Sequence, residues 1–164
     1  MTMRIFAATS ALLLAGACAS TASPRASQDE AAAPIDFANA DSSGLALRPI
    51  PDASLPTGAC GMLLWTLEGN RPAAIFQFVS GKKARINIAG RPIELTLADY
   101  SGASGFGVYE RQTFRGEEGV EVEVNARFGL SFNGGAYLEQ GLVKVRDSSG
   151  WSIVSPAAGI AGCR

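Results

Sequence analysis

Chemistry in a protein needs nucleophiles, bases or metal ligands, and this chain offers few. It has three cysteines, Cys18, Cys60 and Cys163, and no histidine. The lack of histidine removes the commonest general base, the Ser–His and Cys–His arrangements and most zinc sites. Two cysteines besides Cys18 are too few soft ligands for a metal. A Ser–Lys pair would have to use Lys82, Lys83 or Lys144. The first two follow Ser80-Gly81 in a turn, and Lys144 alternates with Val143 and Val145, so all three read as solvated. Glycoside hydrolysis would need a carboxylate pair. Glu121 and Glu123 share one face of an alternating run, as the polar residues of any half-wet strand do, and Glu117 and Glu118 lie in a turn. The segment Ser101-Gly102-Ala103-Ser104-Gly105-Phe106-Gly107 is glycine-rich. It lacks the Lys-Ser/Thr ending of a phosphate loop, and no helix follows it. It reads as turning backbone between strands, with partner binding as its functional alternative, because loops on rigid β scaffolds carry recognition. The chain is therefore read as non-enzymatic, with no metal and no cofactor.

Cys18 stands apart from the other two cysteines. Arg4 gives a positive start, residues 5–14 are mostly apolar, and Ala15-Gly16-Ala17 are small. That order is the layout of a secretory signal peptide. The apolar run is too short to cross a bilayer, which takes about 20 residues, and no other stretch qualifies. The small residues end on Cys18, and Ala19-Ser20-Thr21-Ala22-Ser23 follows. This resembles the lipobox of bacterial lipoproteins, in which the cysteine becomes the lipid-bearing N-terminus. Ala15 stands where the usual leucine would be, with Leu14 one place further out. The alternative is an ordinary signal peptide cut after Ala17 or Ala22. The resemblance implies a membrane partner through the N-terminal lipid, because two or more acyl chains hold a protein stably to a bilayer. It also implies a place in the bacterial cell envelope. Ala19 in place of an aspartate points to the outer membrane, facing the periplasm.

Cleavage before Cys18 would leave 147 residues, enough for one domain and a tail. Lysine and arginine number 14 against 15 aspartate and glutamate, so nothing invites nucleic acid, which wants a basic face. With Cys18 acylated, Cys60 and Cys163 remain, and in an exported protein such a pair reads as a disulfide. Two free thiols are the alternative. A bridge closing a loop of about 100 residues would contribute up to roughly 4–5 kcal/mol in the entropic picture.

Three segments follow from composition: a signal peptide over 1–17, a lipidated N-terminus and flexible linker over 18–45, and a β domain over 46–164. The linker is rich in Ala, Ser, Pro and Asp and too poor in apolar residues to offset the entropy of ordering. Its coil reach would be roughly 25–30 Å. Ile35 and Phe37 are scattered apolar residues within it. Residues 45–55 read as an extended lead-in, since Pro49 and Pro51 oppose helix. From Cys60 onward short apolar or alternating runs are punctuated by turns. Residues 62–67 and 74–79 look buried. Ala84, Ile86 and Ile88 alternate with polar neighbours, as do Ile93, Leu95 and Leu97, and Ala89-Gly90 joins them as a hairpin. Residues 108–114 form another strand. Val120, Val122 and Val124 alternate with Glu121, Glu123 and Asn125. Asn133-Gly134-Gly135 is a hairpin turn, and residues 142–145 lead through Asp147-Ser148-Ser149-Gly150 to residues 151–154. Trp65 and Trp151 read as core residues of the first and last strands, with a place at a ligand-lined barrel mouth as the alternative. Residues 156–163 read as a small-residue tail pinned by the disulfide. The result is an all-β domain of about eight antiparallel strands, a small barrel or sandwich. Closure into a barrel is favoured because it removes exposed edges.

A second resemblance runs over residues 84–109. An alternating strand leads to Gly90, then to Ile93-Glu94-Leu95, then to a Ser/Gly segment ending in an aromatic. This is similar to the membrane-bound inhibitors of c-type lysozyme, whose Ser/Gly loop enters the lysozyme cleft. The matching stretch here is Ala103-Ser104-Gly105-Phe106-Gly107-Val108-Tyr109. It lacks the family's arginine and has two extra residues before Tyr109. The resemblance implies partner contacts at Ser104, Gly105 and Tyr109. Three readings of function follow: an envelope lipoprotein with an interaction or structural role toward an envelope protein partner, a lysozyme-inhibitor-like protein, and a carrier of a small apolar ligand.

Overall fold

The computed structural model describes residues 45–69 and 71–164. The signal peptide, the lipidation of Cys18 and all of the linker but Leu45 lie outside the described residues. Leu45 itself is buried in the core, so the domain's packing includes a residue before the expected boundary.

Eight strands run in order: β1 (Cys60–Thr66), β2 (Ala74–Val79), β3 (Ala84–Ile88), β4 (Arg91–Gly105), β5 (Val108–Gly116), β6 (Glu121–Phe132), β7 (Gly135–Arg146) and β8 (Ser152–Cys163). A 3-10 turn, Glu117–Gly119, joins β5 to β6. Each strand pairs antiparallel with the next, and β1 pairs with β8, so the sheet closes into an up-and-down barrel. Side chains alternate between the two faces of each strand. Met62, Leu64, Phe76, Phe78, Phe114, Val122, Val124, Leu138 and Val143 are almost fully buried and fill the interior. The Phe114 ring is central: its centroid is 5.1 Å from those of both Phe76 and Phe78, in tilted and edge-on geometry.

The antiparallel order gives the barrel two rims. The upper rim carries the β2–β3, β4–β5 and β6–β7 connections and the Cys60–Cys163 disulfide. The lower rim carries the Ala89-Gly90 hairpin, where both residues have positive φ (51° and 86°), as the tight turn of a twisted hairpin requires. The lead-in starts at the lower rim, where Leu47 bridges Ile88. It then climbs the outer wall, with Ile50 N–H bonded to Ala74 O and Gly58 N–H bonded to Arg164 O. Beneath it Gln77 is buried facing outward. Gln77 donates to Ser54 O (2.6 Å), and the Arg85 guanidinium donates to its Oε1.

Three readings of the sequence are corrected. Residues 156–163 are not a tail: they belong to β8, the strand that closes the barrel, with backbone pairing from Cys60↔Cys163 to Thr66↔Ala157. At the glycines of this strand small size is a packing requirement, since a Cβ on Gly159 would collide with Leu63 O and one on Gly162 with Gly134 O. The glycine-rich stretch is not a loop between strands: residues 101–105 continue β4, and only Phe106-Gly107 turn the chain. The tryptophans are not core. Met62 and Leu64 take the inward positions of β1, which leaves Trp65 half-buried and Leu67 exposed. Trp151 lies in the turn before β8 and is 64% exposed.

Candidate interaction site

The residues singled out by the sequence converge on the β4–β5 hairpin. Ser104 pairs with Tyr109 and Gly105 with Val108 across the ladder. The hairpin extends past its neighbours: β3 pairs with β4 only as far as Ala84↔Leu95, and β6 with β5 only as far as Arg111↔Asn125. Beyond those points β4 and β5 pair only with each other among the described strands. Residues 98–104 are exposed along this ribbon.

Several contacts hold the ribbon in shape. The Tyr100 and Tyr109 rings stack at 4.1 Å, with 28° between their planes. Stacked or edge-on aromatic pairs contribute about 0.5–1.5 kcal/mol beyond area burial. Two bulges bend β4, between Leu97 and Asp99 and between Ser101 and Ser104. At the second bulge Ala103 N–H donates to Glu110 Oε2 (3.3 Å), and Arg111 Nε donates to Ser101 Oγ (3.1 Å). Tyr109 N–H donates to the side-chain oxygen of Gln112, a residue only 2% exposed, whose amide nitrogen has no hydrogen-bond partner within the protein. Bulges also guard an edge against pairing with other chains, because they twist it and break its register.

The tip is strained and wedged. Phe106 and Gly107 both have positive φ, 57° and 73°. Glycine tolerates this region freely, whereas an L-residue there costs about 1–2 kcal/mol. The Phe106 ring packs against the core, which offsets that strain. Gly107 lies so close to the β2–β3 connection that a Cβ would collide with the Ser80 side chain. Gly105 approaches β6, where a Cβ would meet the Phe128 ring at 3.5 Å. The hairpin is thus a fixed projection.

Below it, the outward rows of β4–β7 are charged. Glu121 meets Arg146 at 3.1 Å and Arg115 at 3.5 Å, and Glu123 meets Arg146 at 3.6 Å and Lys144 at 3.7 Å. The face read as a solvated acidic strand is therefore a lattice of ion pairs. A shallow depression of about 220 Å³ lies among Asp99, Ser101, Arg111, Thr113, Glu123 and Asn125. The outward wall across the barrel is different. On β8 it carries Val154, Pro156, Ala158 and Ile160; beside them β7 presents Tyr137, Glu139, Gln140, Leu142 and Lys144, and β1 presents the half-buried Trp65. At the upper rim this wall runs into a groove of about 400 Å³ floored by Leu55, Leu63, Phe132 and Ile160.

Sequence reasoning placed Ser104, Gly105 and Tyr109 but missed Tyr100, Phe106 and Gln112. Tyr100 had a usable signal, since it breaks the phase of Ile93, Leu95 and Leu97. Phe106 had none, because no propensity places an aromatic at positive φ. Among the described residues no group of three or more His, Cys, Asp or Glu side chains is arranged to hold a metal ion, and no helix is long and apolar enough to cross a membrane. No family model, no curated protein and no solved structure matches this chain.

Proposed function

We propose that this is a lipid-anchored protein of the bacterial envelope that acts by binding, with the β4–β5 hairpin as its contact surface. The anchor rests on the lipobox-like residues 14–18. The binding role rests on one observation: a hairpin that runs beyond the backbone pairing of its two neighbouring strands, exposed along residues 98–104, and is braced by a tyrosine stack, two bulges and a strained tip wedged against the β2–β3 connection and β6. Pre-forming a contact surface lowers the ordering cost of association, and strained backbone that the surroundings hold in place is a feature of functional sites. The interior, filled by Phe76, Phe78 and Phe114, leaves little room for a carried ligand, so that reading is confined to the outer grooves.

A photo-crosslinking residue at position 104 tests the role in living cells. One dominant adduct with another envelope protein is expected, reduced at least five-fold by Tyr100→Ala. A diffuse smear or no adduct would contradict it. Radiolabelled palmitate is expected on the exported chain and absent from Cys18→Ser.

The lysozyme-inhibitor reading is kept as a second because Ser104 and Tyr109, its two carried-over contacts, oppose each other across one ladder. It predicts that the purified protein inhibits a c-type lysozyme and that Tyr109→Ala weakens the inhibition at least ten-fold. Full lysozyme activity at a hundred-fold molar excess would exclude it.

A further inference from the structure

We propose that the hollow on the charged wall, between the outward rows of β4, β5 and β6, binds a neutral glycan chain. This goes beyond the hairpin's protein contact and does not depend on it. Two rows of the register form the hollow. Asp99, Thr113 and Glu123 lie opposite one another across the three strands, and Ser101, Arg111 and Asn125 form the next outward row. The space among them is about 220 Å³.

Hydrogen-bonding capacity is left over there. Lower on the same wall Arg115, Glu121, Lys144 and Arg146 are taken up in ion pairs. At the hollow that pattern stops. The side chains of Asp99, Thr113 and Asn125 have no hydrogen-bond or ion-pair partner among the described residues. Arg111 uses only Nε, which donates to Ser101 Oγ at 3.1 Å, and leaves both terminal nitrogens open. The charges balance. Glu123 is neutralised by Lys144 and Arg146, and the remaining two, Asp99 and Arg111, are opposite in sign. An anion would face the carboxylates and a cation the guanidinium, so a neutral ligand fits best. It must both donate and accept, because carboxylates only accept, a guanidinium only donates, and hydroxyls and an amide do both. No aliphatic side chain lines the hollow, so an apolar ligand would bury little against it. A sugar ring, neutral and ringed with hydroxyls, has the required chemistry.

An aromatic pair borders the hollow. By alternation Tyr109 is the next outward residue of β5 beyond Thr113 and Arg111. Tyr100, stacked on it, also lines the hollow and is 54% exposed. The C–H face of a sugar ring packs on an aromatic side chain while its hydroxyls turn to polar neighbours, and tyrosine offers both an apolar body and a polar tip. The site is held ready, since two bulges bracket Asp99 to Ser101 and Ser101 fixes Arg111, which lowers the ordering cost of binding. It lies on the face of paired strands rather than at a free edge, where a peptide would add by backbone pairing. Being shallow, it holds one ring and leaves a chain free to continue on either side.

Amide chemical shifts of the full exported chain, purified in detergent, test this. The probes are three neutral tetrasaccharides: chitotetraose, cellotetraose and maltotetraose. At least one is expected to cause saturable shifts confined to residues 99–101, 111–113 and 123–125 and the neighbouring Tyr109. Asp99→Ala and Asn125→Ala are each expected to weaken that binding at least five-fold. Both positions are on the surface, and unchanged β8 amides together with the Cys60–Cys163 bridge report that each variant has folded. No saturable shift with any of the three, shifts centred elsewhere, or affinity unaltered by both substitutions would overturn the proposal. So would inorganic phosphate or an alanine hexapeptide moving the same amides as strongly as the best sugar, because the hollow would then take an anion or a peptide.

Discussion

The two halves of the outer wall share one core and present opposite surfaces. On β5 and β6 the outward positions are Thr113, Arg115, Glu121, Glu123 and Asn125, the charged ones knit into ion pairs, with a braced hairpin above them. On β8 they are Val154, Pro156, Ala158 and Ile160. Inward, the two halves are alike: Val122 and Val124 on one side and Ala157 and Ala161 on the other are buried in one cluster with Phe76, Phe78 and Phe114. Barrel closure constrains only the inward side of each strand. The outward side is free to vary, so the contrast between the walls is informative about what each one meets. Surface ion pairs contribute little to stability, about 0–1 kcal/mol each. An apolar wall left in water contributes nothing to it either.

If the halves share a core, the largest effect comes from its centre. Phe114→Ala removes the ring that Phe76 and Phe78 pack on, and should destabilise the domain by about 3–5 kcal/mol. Urea unfolding followed at Trp151 and by circular dichroism should then shift as one transition. Two separated transitions would break the idea of a common core.

The next effect belongs to the apolar half. Gly159→Ala puts a methyl group against Leu63 O at the β1–β8 seam, and should cost about 1–3 kcal/mol through strain and backbone shift. Hydrogen exchange should rise along β1 and β8 while the β4–β5 hairpin keeps its protection. A uniform rise would show that the seam and the hairpin are not separate regions.

Tyr100→Ala sharpens the other side. It removes the stack on Tyr109 and should cost about 0.5–1.5 kcal/mol, well below the core change, yet weaken partner capture through position 104. Unchanged capture would mean that the hairpin needs no brace.

The smallest effect is a control outside both surfaces. Asp147 accepts hydrogen bonds from Ser149 Oγ (2.7 Å), Ser149 N–H (2.9 Å) and Trp151 N–H (3.0 Å) in the β7–β8 turn. These bonds, the Ser149 hydroxyl foremost, hold its carboxyl below the ordinary aspartate value. A lowered folded-state pKa favours the native state above the unfolded value, and that contribution disappears as pH falls through the folded value. Asp147→Asn should therefore flatten slightly the loss of stability below about pH 4 and leave partner capture through position 104 unchanged. The melting temperature as a function of pH checks it.

Much of the barrel was legible in the chain because water pays no attention to topology: Val120, Val122 and Val124 must alternate wherever one face is dry. Ala89-Gly90 and Asn133-Gly134 marked their hairpins, and the two cysteines besides Cys18 marked the Cys60–Cys163 bridge. What escaped is held by partners rather than by propensity. Residues 156–162 are, apart from Ile160, all Pro, Ala and Gly, poor strand formers that become β8 because β1 and β7 flank them with paired backbone. Ser101 to Gly105 look like a loop, yet the bulges keep them in β4. The stack of Tyr100 on Tyr109 depends on register across a bulge, which no single-strand pattern encodes. The apolar wall was hidden for the same reason, since its residues come from β7, β8 and β1, up to a hundred positions apart.

The most direct test places crosslinking probes at positions 104 and 158 in parallel, in the same cells. The account predicts different outcomes: one dominant heterologous envelope protein from 104 and no such adduct from 158. The same product from both positions would contradict it.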